Sequence, residues 1–273
     1  MAQRIITFTT DFGLSDHYVG AMKGVILSIN PDVRLMDISN AVSSYDVLDG
    51  AITVSQSYGY YPSESIHLVI VDPGVGSNRK PLLVTTGRHY FIAPDNGVLS
   101  LVYQREERVS VRHITAEHYF VQPVSNTFHG RDIFAAVAAH LSKGVEPAKF
   151  GEEITDYIRL AAPRPKANGA TELRGIVLKT DKFGNLITNF RPDDLPQLFA
   201  ATPARFRITV GKAEVGVLNT SYSQGEPGQL FAILGSMGYL EISCNRASAA
   251  QLAGVGKGSE VVVNLEAASA SGS

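Results

Sequence analysis

The chain has 273 residues, 44% of them hydrophobic and 18% charged, the composition of a folded globular protein with a sizeable core rather than a disordered one. Lys and Arg number 24 against 26 Asp and Glu, a net charge of −2. That balance lacks the basic excess of a nucleic-acid binder, and no apolar run approaches the roughly 20 residues that span a bilayer. No secretory leader is read at the start, so a cytoplasmic protein is expected, with neither nucleic acid nor membrane as partner. One cysteine, Cys244, excludes an intrachain disulfide and a cysteine zinc cage and reads as a small buried hydrophobe. The seven histidines show no ligand spacing.

In chain order, Arg4 to Thr10 reads as a strand running into the loop Asp11-Phe12-Gly13-Leu14. Ser15 is placed to cap a helix whose apolar positions Val19, Met22, Ile26 and Ile29 repeat every 3.6 residues until Pro31. Val33 to Ile38 reads as a second strand and Tyr45 to Tyr58 as a second helix. Ile66 to Val71 is short, β-branched and almost wholly apolar, as in a strand covered on both faces, and it ends in Asp72-Pro73-Gly74-Val75-Gly76. Leu82 to Thr86 and Tyr90 to Ala93 predict two strands with a turn at Gly87, followed by Pro94-Asp95-Asn96-Gly97 and a short helix. Gly130 to Leu141 predicts a helix, with His129 just before its start.

Strands alternating with helices predict an α/β N-terminal domain, residues 1–165, with a mostly parallel central sheet. The Pro- and Ala-rich stretch 161–169 reads as a linker. Beyond it the period becomes two, with Phe206, Ile208 and Val210 alternating with Arg205, Arg207 and Thr209, which predicts a smaller antiparallel β-barrel domain over 171–266. Residues 267–273 are small and polar and read as a flexible tail.

Thr10-Asp11-Phe12-Gly13 contains the metal-binding triplet of kinases, but the accompanying kinase motifs are missing. Gly74-Val75-Gly76 lacks the third glycine of a dinucleotide fingerprint. What remains is a set of polar residues at loop positions. Asp11 and Asp16 flank the start of the first helix and are either helix-end carboxylates or ligand contacts. Asp72 ends a buried strand, where a carboxylate is costly unless paired or used, and Arg79 lies near enough along the loop to pair with it. His129 sits at a helix start, which favours neutral imidazole. Asp181-Lys182-Phe183-Gly184-Asn185 fits a tight turn, and Ser236-Met237-Gly238-Tyr239-Leu240 a hairpin.

Six segments occur in order along nearly the whole chain: Thr10-Asp11-Phe12-Gly13 with Asp16, Asp72-Pro73-Gly74-Val75-Gly76 with Arg79, Ala93-Pro94-Asp95-Asn96-Gly97, Thr127-Phe128-His129-Gly130-Arg131-Asp132, Asp181 to Asn185, and Gly238-Tyr239-Leu240 with Asn245. In this it resembles the S-adenosylmethionine hydroxide adenosyltransferases, adenosine-forming hydrolases related to the fluorinase and chlorinase. The resemblance implies an N-terminal α/β domain, a C-terminal β-barrel, and a homotrimer with each site between the N-terminal domain of one subunit and the C-terminal domain of the next. It implies hydrolysis of S-adenosyl-L-methionine to adenosine and L-methionine by in-line attack of water on ribose C5′, without metal or cofactor.

The same resemblance makes Asp72, Arg79 and His129 the groups that hold the attacking water. It assigns Asp11 to the ribose hydroxyls, Tyr45 to packing over the ribose, and Asp16 and Asp181 to the methionine amine. Asn185 and the backbone near Arg246 fall at the adenine edge, Tyr222 where a ring stacks on adenine, Ser236 at the methionine carboxylate, and Phe183 within the same binding set. The halogenases carry a Tyr-Ser pair where this chain has His129-Gly130, so the sequence sides with the hydrolases. Met237 stands where the fluorinase has an Arg near the methionine carboxylate. The alternatives are a halide-dependent halogenase, a non-catalytic adenosine-ligand binder, and a metal-dependent phosphohydrolase built on Asp11, Asp16, Asp72 and Asp95.

Overall fold

The computed structural model describes residues 4–200 and 204–265; the tail expected at 267–273 lies outside them. The chain divides between Ala161 and Ala162 into two compact units.

In the first unit, β1 (Ile5–Thr10), β2 (Arg34–Ser39), β3 (Ile66–Ile70), β4 (Pro81–Thr86), β5 (Tyr90–Pro94) and β6 (Val109–His113) form one sheet in the order β2-β1-β3-β5-β4-β6. β2, β1, β3 and β5 run parallel, whereas β4 is antiparallel to both β5 and β6. The sheet is therefore mixed: three of its five strand pairings are parallel, as expected, and the two made by β4 are antiparallel. The cause is local: β4 and β5 are joined by a tight turn closed by Thr86 N–H donating to the His89 carbonyl, and a turn that short cannot join parallel strands. β6 was not anticipated.

Helices α1 (Tyr18–Ile29), α2 (Val47–Ser57), α3 (Ser100–Tyr103) and α4 (Ala136–Ser142) cover the sheet. Side chains of a strand alternate between faces. Ile66, Leu68 and Ile70 of β3 accordingly join one buried cluster with Met22 and Ile26 of α1 and Val137 of α4. Val69 joins the other with Val54 of α2 and Val102 of α3, so β3 is covered on both faces as its apolar run predicts.

Three helix starts differ from the reading. Ser15 does not cap α1; His17 holds that position with no side-chain cap, because Asp11 to Asp16 form an irregular loop. α2 begins after Tyr45, since Asp46 accepts a hydrogen bond from Asp49 N–H and sets the helix start there. The helix expected from Gly130 opens with a π-helical turn, Gly130–Ala135, that runs into α4.

The second unit is a curled nine-stranded sheet: β7 (Lys166–Asn168), β8 (Glu172–Thr180), β9 (Leu186–Thr188), β10 (Phe206–Val210), β11 (Ala213–Val215), β12 (Leu218–Asn219), β13 (Leu230–Leu234), β14 (Leu240–Cys244) and β15 (Glu260–Leu265), with the short α5 (Ala249–Ala253). β7 pairs with β8, so the expected linker is partly strand and belongs to this unit. β8 carries a bulge between Val177 and Lys179; its first half pairs with β15 and its second with β9, which folds the sheet around one core of Val177, Leu186, Ile208, Ile242 and Val263. The sheet path ends at β11 and β12, which do not pair with each other among the described residues, and β12 lies parallel to β13. It is a half-barrel rather than the closed antiparallel barrel expected. Cys244 is free and buried, as its composition suggested.

Candidate active site

In the first unit, the order β2-β1-β3 means that the chain leaves β1 in one direction along the sheet and later returns on its other side. The carboxyl ends of β1 and β3 flank that switch point, where open α/β sheets bind ligands. Thr10 pairs with Ile70, so Asp11 and Asp72 leave the sheet at adjacent positions. Asp11 accepts the Tyr45 backbone N–H at 2.8 Å. Tyr45 itself has a φ of 66°, costly for a non-glycine residue, and its side chain is exposed. Asp16 stands apart, exposed, with Ser15 Oγ donating to it at 3.5 Å.

Asp72, Arg79 and His129 come together. Arg79 Nε donates to both Asp72 oxygens at 3.0 Å and Nη2 to Oδ2 at 2.5 Å. The side chains are only 5% and 8% exposed, so this is a desolvated, forked ion pair. Arg79 Nη2 also lies 2.9 Å from His129 Nδ1. Arginine only donates, so Nδ1 accepts and the imidazole proton is on Nε2. Burial first, and the Arg79 charge second, hold His129 below the ordinary histidine range against the opposing pull of Asp72 and Asp132. Arg79 Nη1 is buried and has no hydrogen-bond partner among the described residues.

Two asparagines that sequence reasoning left without a role hold this end of the sheet. Asn96 Nδ2 donates to the Val71 carbonyl at 2.8 Å, pinning the peptide before Asp72. Asn40 accepts from Thr10 Oγ1 and from Gly13 N–H, fixing the loop that carries Asp11. Asp95 accepts from Ile158 N–H and so anchors that residue instead of joining Asp72.

The second unit contains a cavity of about 860 Å³, and all six residues expected there line it: Asp181, Phe183, Asn185, Tyr222, Ser236 and Arg246. Asp181 organises the β8–β9 turn, accepting from Phe183 N–H and Asn185 N–H through Oδ1 and from Asn185 Nδ2 through Oδ2. Gly184 has a φ of 86° and packs so tightly on Ser248 that a Cβ would collide with it. Phe183 is left 78% exposed at the rim. Arg246 sits in the left-handed region at φ 56°.

Glu241 also lines the cavity and was missed. The signal was present, since it is the one charged residue in the buried strand β14. Tyr222 Oη donates to it at 2.9 Å. Burial, then that bond, pushes the Tyr222 hydroxyl up to about 12. Burial also raises the Glu241 carboxyl, and the nearby Asp181 charge adds to the rise.

Strand-end carboxylates at a switch point, in the first unit, and a largely apolar cavity with a few polar groups and an exposed aromatic rim, in the second, are each features of small-molecule binding. The sequence matches the SAM hydroxide adenosyltransferase N-terminal domain over residues 6–151 and the corresponding C-terminal domain over 175–262, and the chain belongs to that family. It is 34% identical to the (R)-S-adenosyl-L-methionine hydrolase of Salinispora tropica over 94% of this chain and 97% of the other. It is 33% identical to the protein of the same name in Methanocaldococcus jannaschii, over 88% of each chain. A fluorinase of Nocardia brasiliensis is 27% identical over 90% of this chain and 92% of its own. An uncharacterized conserved protein from Thermotoga maritima has the same fold, with a TM-score of 0.86 and 35% identity over 95% of this chain and 99% of that one.

Proposed function

We propose that this protein hydrolyses S-adenosyl-L-methionine, acting on the (R) sulfonium epimer for which its hydrolase relatives are named, to adenosine and L-methionine. The observation that carries the reading is the buried Asp72–Arg79–His129 cluster with the free Nη1 donor of Arg79.

The chemistry follows from the leaving group. When the C5′–S bond breaks, its electron pair goes to sulfur and methionine departs as a neutral thioether, so no general acid is required. The water oxygen forms the new bond to C5′, and its proton passes to the cluster. Arg79 Nη1 binds and acidifies that water; Asp72 takes up its proton directly, and His129, neutral at pH 7, relays it by accepting at Nδ1 when that atom gives up its Arg79 hydrogen bond. The attack neutralises a sulfonium, which a water-poor pocket favours.

Asp11 grips the ribose hydroxyls and aligns C5′ with the water, and Tyr45 packs over the ribose. Asp16 and Asp181 bind the methionine amine, and Ser236 with backbone donors binds the carboxylate. Asn185 and the backbone at Arg246 read the adenine edge, with Tyr222 and Phe183 against its faces. We place the completed site between neighbouring subunits of a homotrimer in the cytoplasm, working without metal or cofactor; light scattering tests the assembly.

To test the reaction, the protein is incubated with the (R) and (S) epimers in oxygen-18 water, with and without chloride, and the products are resolved by mass spectrometry. Adenosine carrying one heavy oxygen, formed without halide, is the expected product. A 5′-halogenated nucleoside, or no turnover, would contradict the reading.

A further inference from the structure

Asp132 is fully buried, three residues beyond His129 in the π-helical turn, and has no part in the chemistry above. A buried carboxylate persists where its oxygens are paired. Asp132 Oδ2 accepts the Ser125 N–H at 2.8 Å, and Arg131 donates through Nε to Oδ1 at 2.6 Å and through Nη2 to Oδ2 at 3.0 Å. Val121 N–H donates to the Asp132 carbonyl at 2.9 Å. Residues 121–127 are thus held along the turn that follows His129.

The other side of that segment meets the loop carrying Arg79. The Asn126 carbonyl oxygen lies against Gly76, midway between Asp72 and Arg79; Gly76 has a φ of 78°, and a Cβ there would collide with that oxygen. Above the same turn, the Arg131 guanidinium lies 5.1 Å from the Phe128 ring centroid, and Phe128 packs edge-on against Phe12 and Tyr18. π-Turns inside helices recur at functional sites, and this one carries His129 at its start and Asp132, which holds the segment, three residues on.

We propose that Asp132 is a positioning residue, locking residues 121–127 between the His129 turn and the Asp72–Arg79 loop and so fixing the Arg79 guanidinium against His129. The inference rests on the hydrolase reading. The charged groups facing His129 are Asp72 and Arg79 from the loop after β3, and Asp132, ion-paired with Arg131, from its own turn. Asp132 favours the imidazolium, so removing its charge lowers the His129 pKa further.

The test compares the native enzyme with Asp132→Asn, Asp132→Glu and Gly76→Ala, by steady-state kinetics and by NMR titration of His129. Misplacing the reacting groups by about 1 Å costs on the order of 100-fold in rate. Asp132→Asn is therefore expected to lower kcat about 10- to 100-fold with KM within about threefold, and to move the His129 titration to lower pH. Asp132→Glu restores that titration. Gly76→Ala pushes on the segment from its other side without altering any charge; it lowers kcat at least about tenfold and, by loosening the Arg79 guanidinium from His129, moves the titration to higher pH. Native kcat in Asp132→Asn would overturn the proposal. If that variant does not fold, native kcat in Gly76→Ala overturns it alone. If the native protein releases no adenosine, the hydrolase reading fails, and the His129 titration in Gly76→Ala then decides the inference separately: a rise supports it and an unmoved titration overturns it.

Discussion

Asp72 and Arg79 are closed off from solvent and already paired, whereas Phe183 and Tyr222 of the second unit stand open to it. The first arrangement orients donors before a ligand arrives, so no reorganisation is spent during reaction. The second offers ring faces and a turn braced by Asp181, suited to binding a flat, polar ligand. On the proposed function, the contrast sets the Asp72–Arg79–His129 cluster against the second-unit cavity, and substitutions in the cluster and in the cavity should separate kcat from KM.

The largest effect is expected from Arg79→Ala, which removes three hydrogen bonds to Asp72 and the one to His129. We expect kcat to fall by about 10³, in the range of losing a preorganised electrostatic donor, with KM changed only a few-fold. Stranding the Asp72 carboxylate also costs about 3–5 kcal/mol of stability, read as a lowered melting temperature. His129→Ala should lower kcat by about 10²-fold, the share usual for acid–base assistance. In the native enzyme kcat should hold from pH 8 to pH 6.5 and fall only below it, because His129 is held beneath its ordinary value of 6.5. A decline beginning above pH 7 would point to another group.

In the second unit, Asp181→Ala should raise KM about tenfold or more while leaving kcat within a few-fold, since it loosens the turn and removes the carboxylate proposed to bind the methionine amine. Phe183→Ala should raise KM about three- to tenfold, matching roughly 1 kcal/mol of ring contact. A fall in kcat rather than a rise in KM in either variant would blur the division between the cluster and the cavity.

A gentler test concerns stability alone. His67 is fully buried, bonded to Thr7 at 2.7 Å, and burial lowers its pKa from 6.5 to about 3. Between those values the unfolded chain binds the proton and the folded chain does not. Stability therefore falls as pH drops from 6.5 toward 3, by about 1.4 kcal/mol per pH unit from this group. His67→Gln should flatten the acid side of the melting curve, and an unchanged slope would remove His67 as its source.

Elements with strong periodicity were legible in the sequence. The apolar run Ile66 to Val71 announced a strand buried on both faces, and the 3.6-residue spacing of Val19, Met22 and Ile26 announced α1. Strand direction was not legible, because the pattern of β4 is the same whether it runs parallel or antiparallel to its neighbours. The bulge in β8, which decides how the second sheet curls, depends on pairing partners far along the chain. At the site, Asp72 and Arg79 were readable as a pair seven residues apart, but His129, 50 residues on from Arg79, joins them only through the fold. Asp132 looks in sequence like an ordinary helix-start acid; its value emerges from Ser125 and Asn126, which no local pattern connects to it.

The division of labour is tested most directly by single-turnover kinetics on Arg79→Ala, with substrate affinity measured on the same sample. The account predicts a chemical step slowed by about 10³ with affinity within a few-fold of native. A chemical step at the native rate, with the loss appearing in affinity instead, would contradict it.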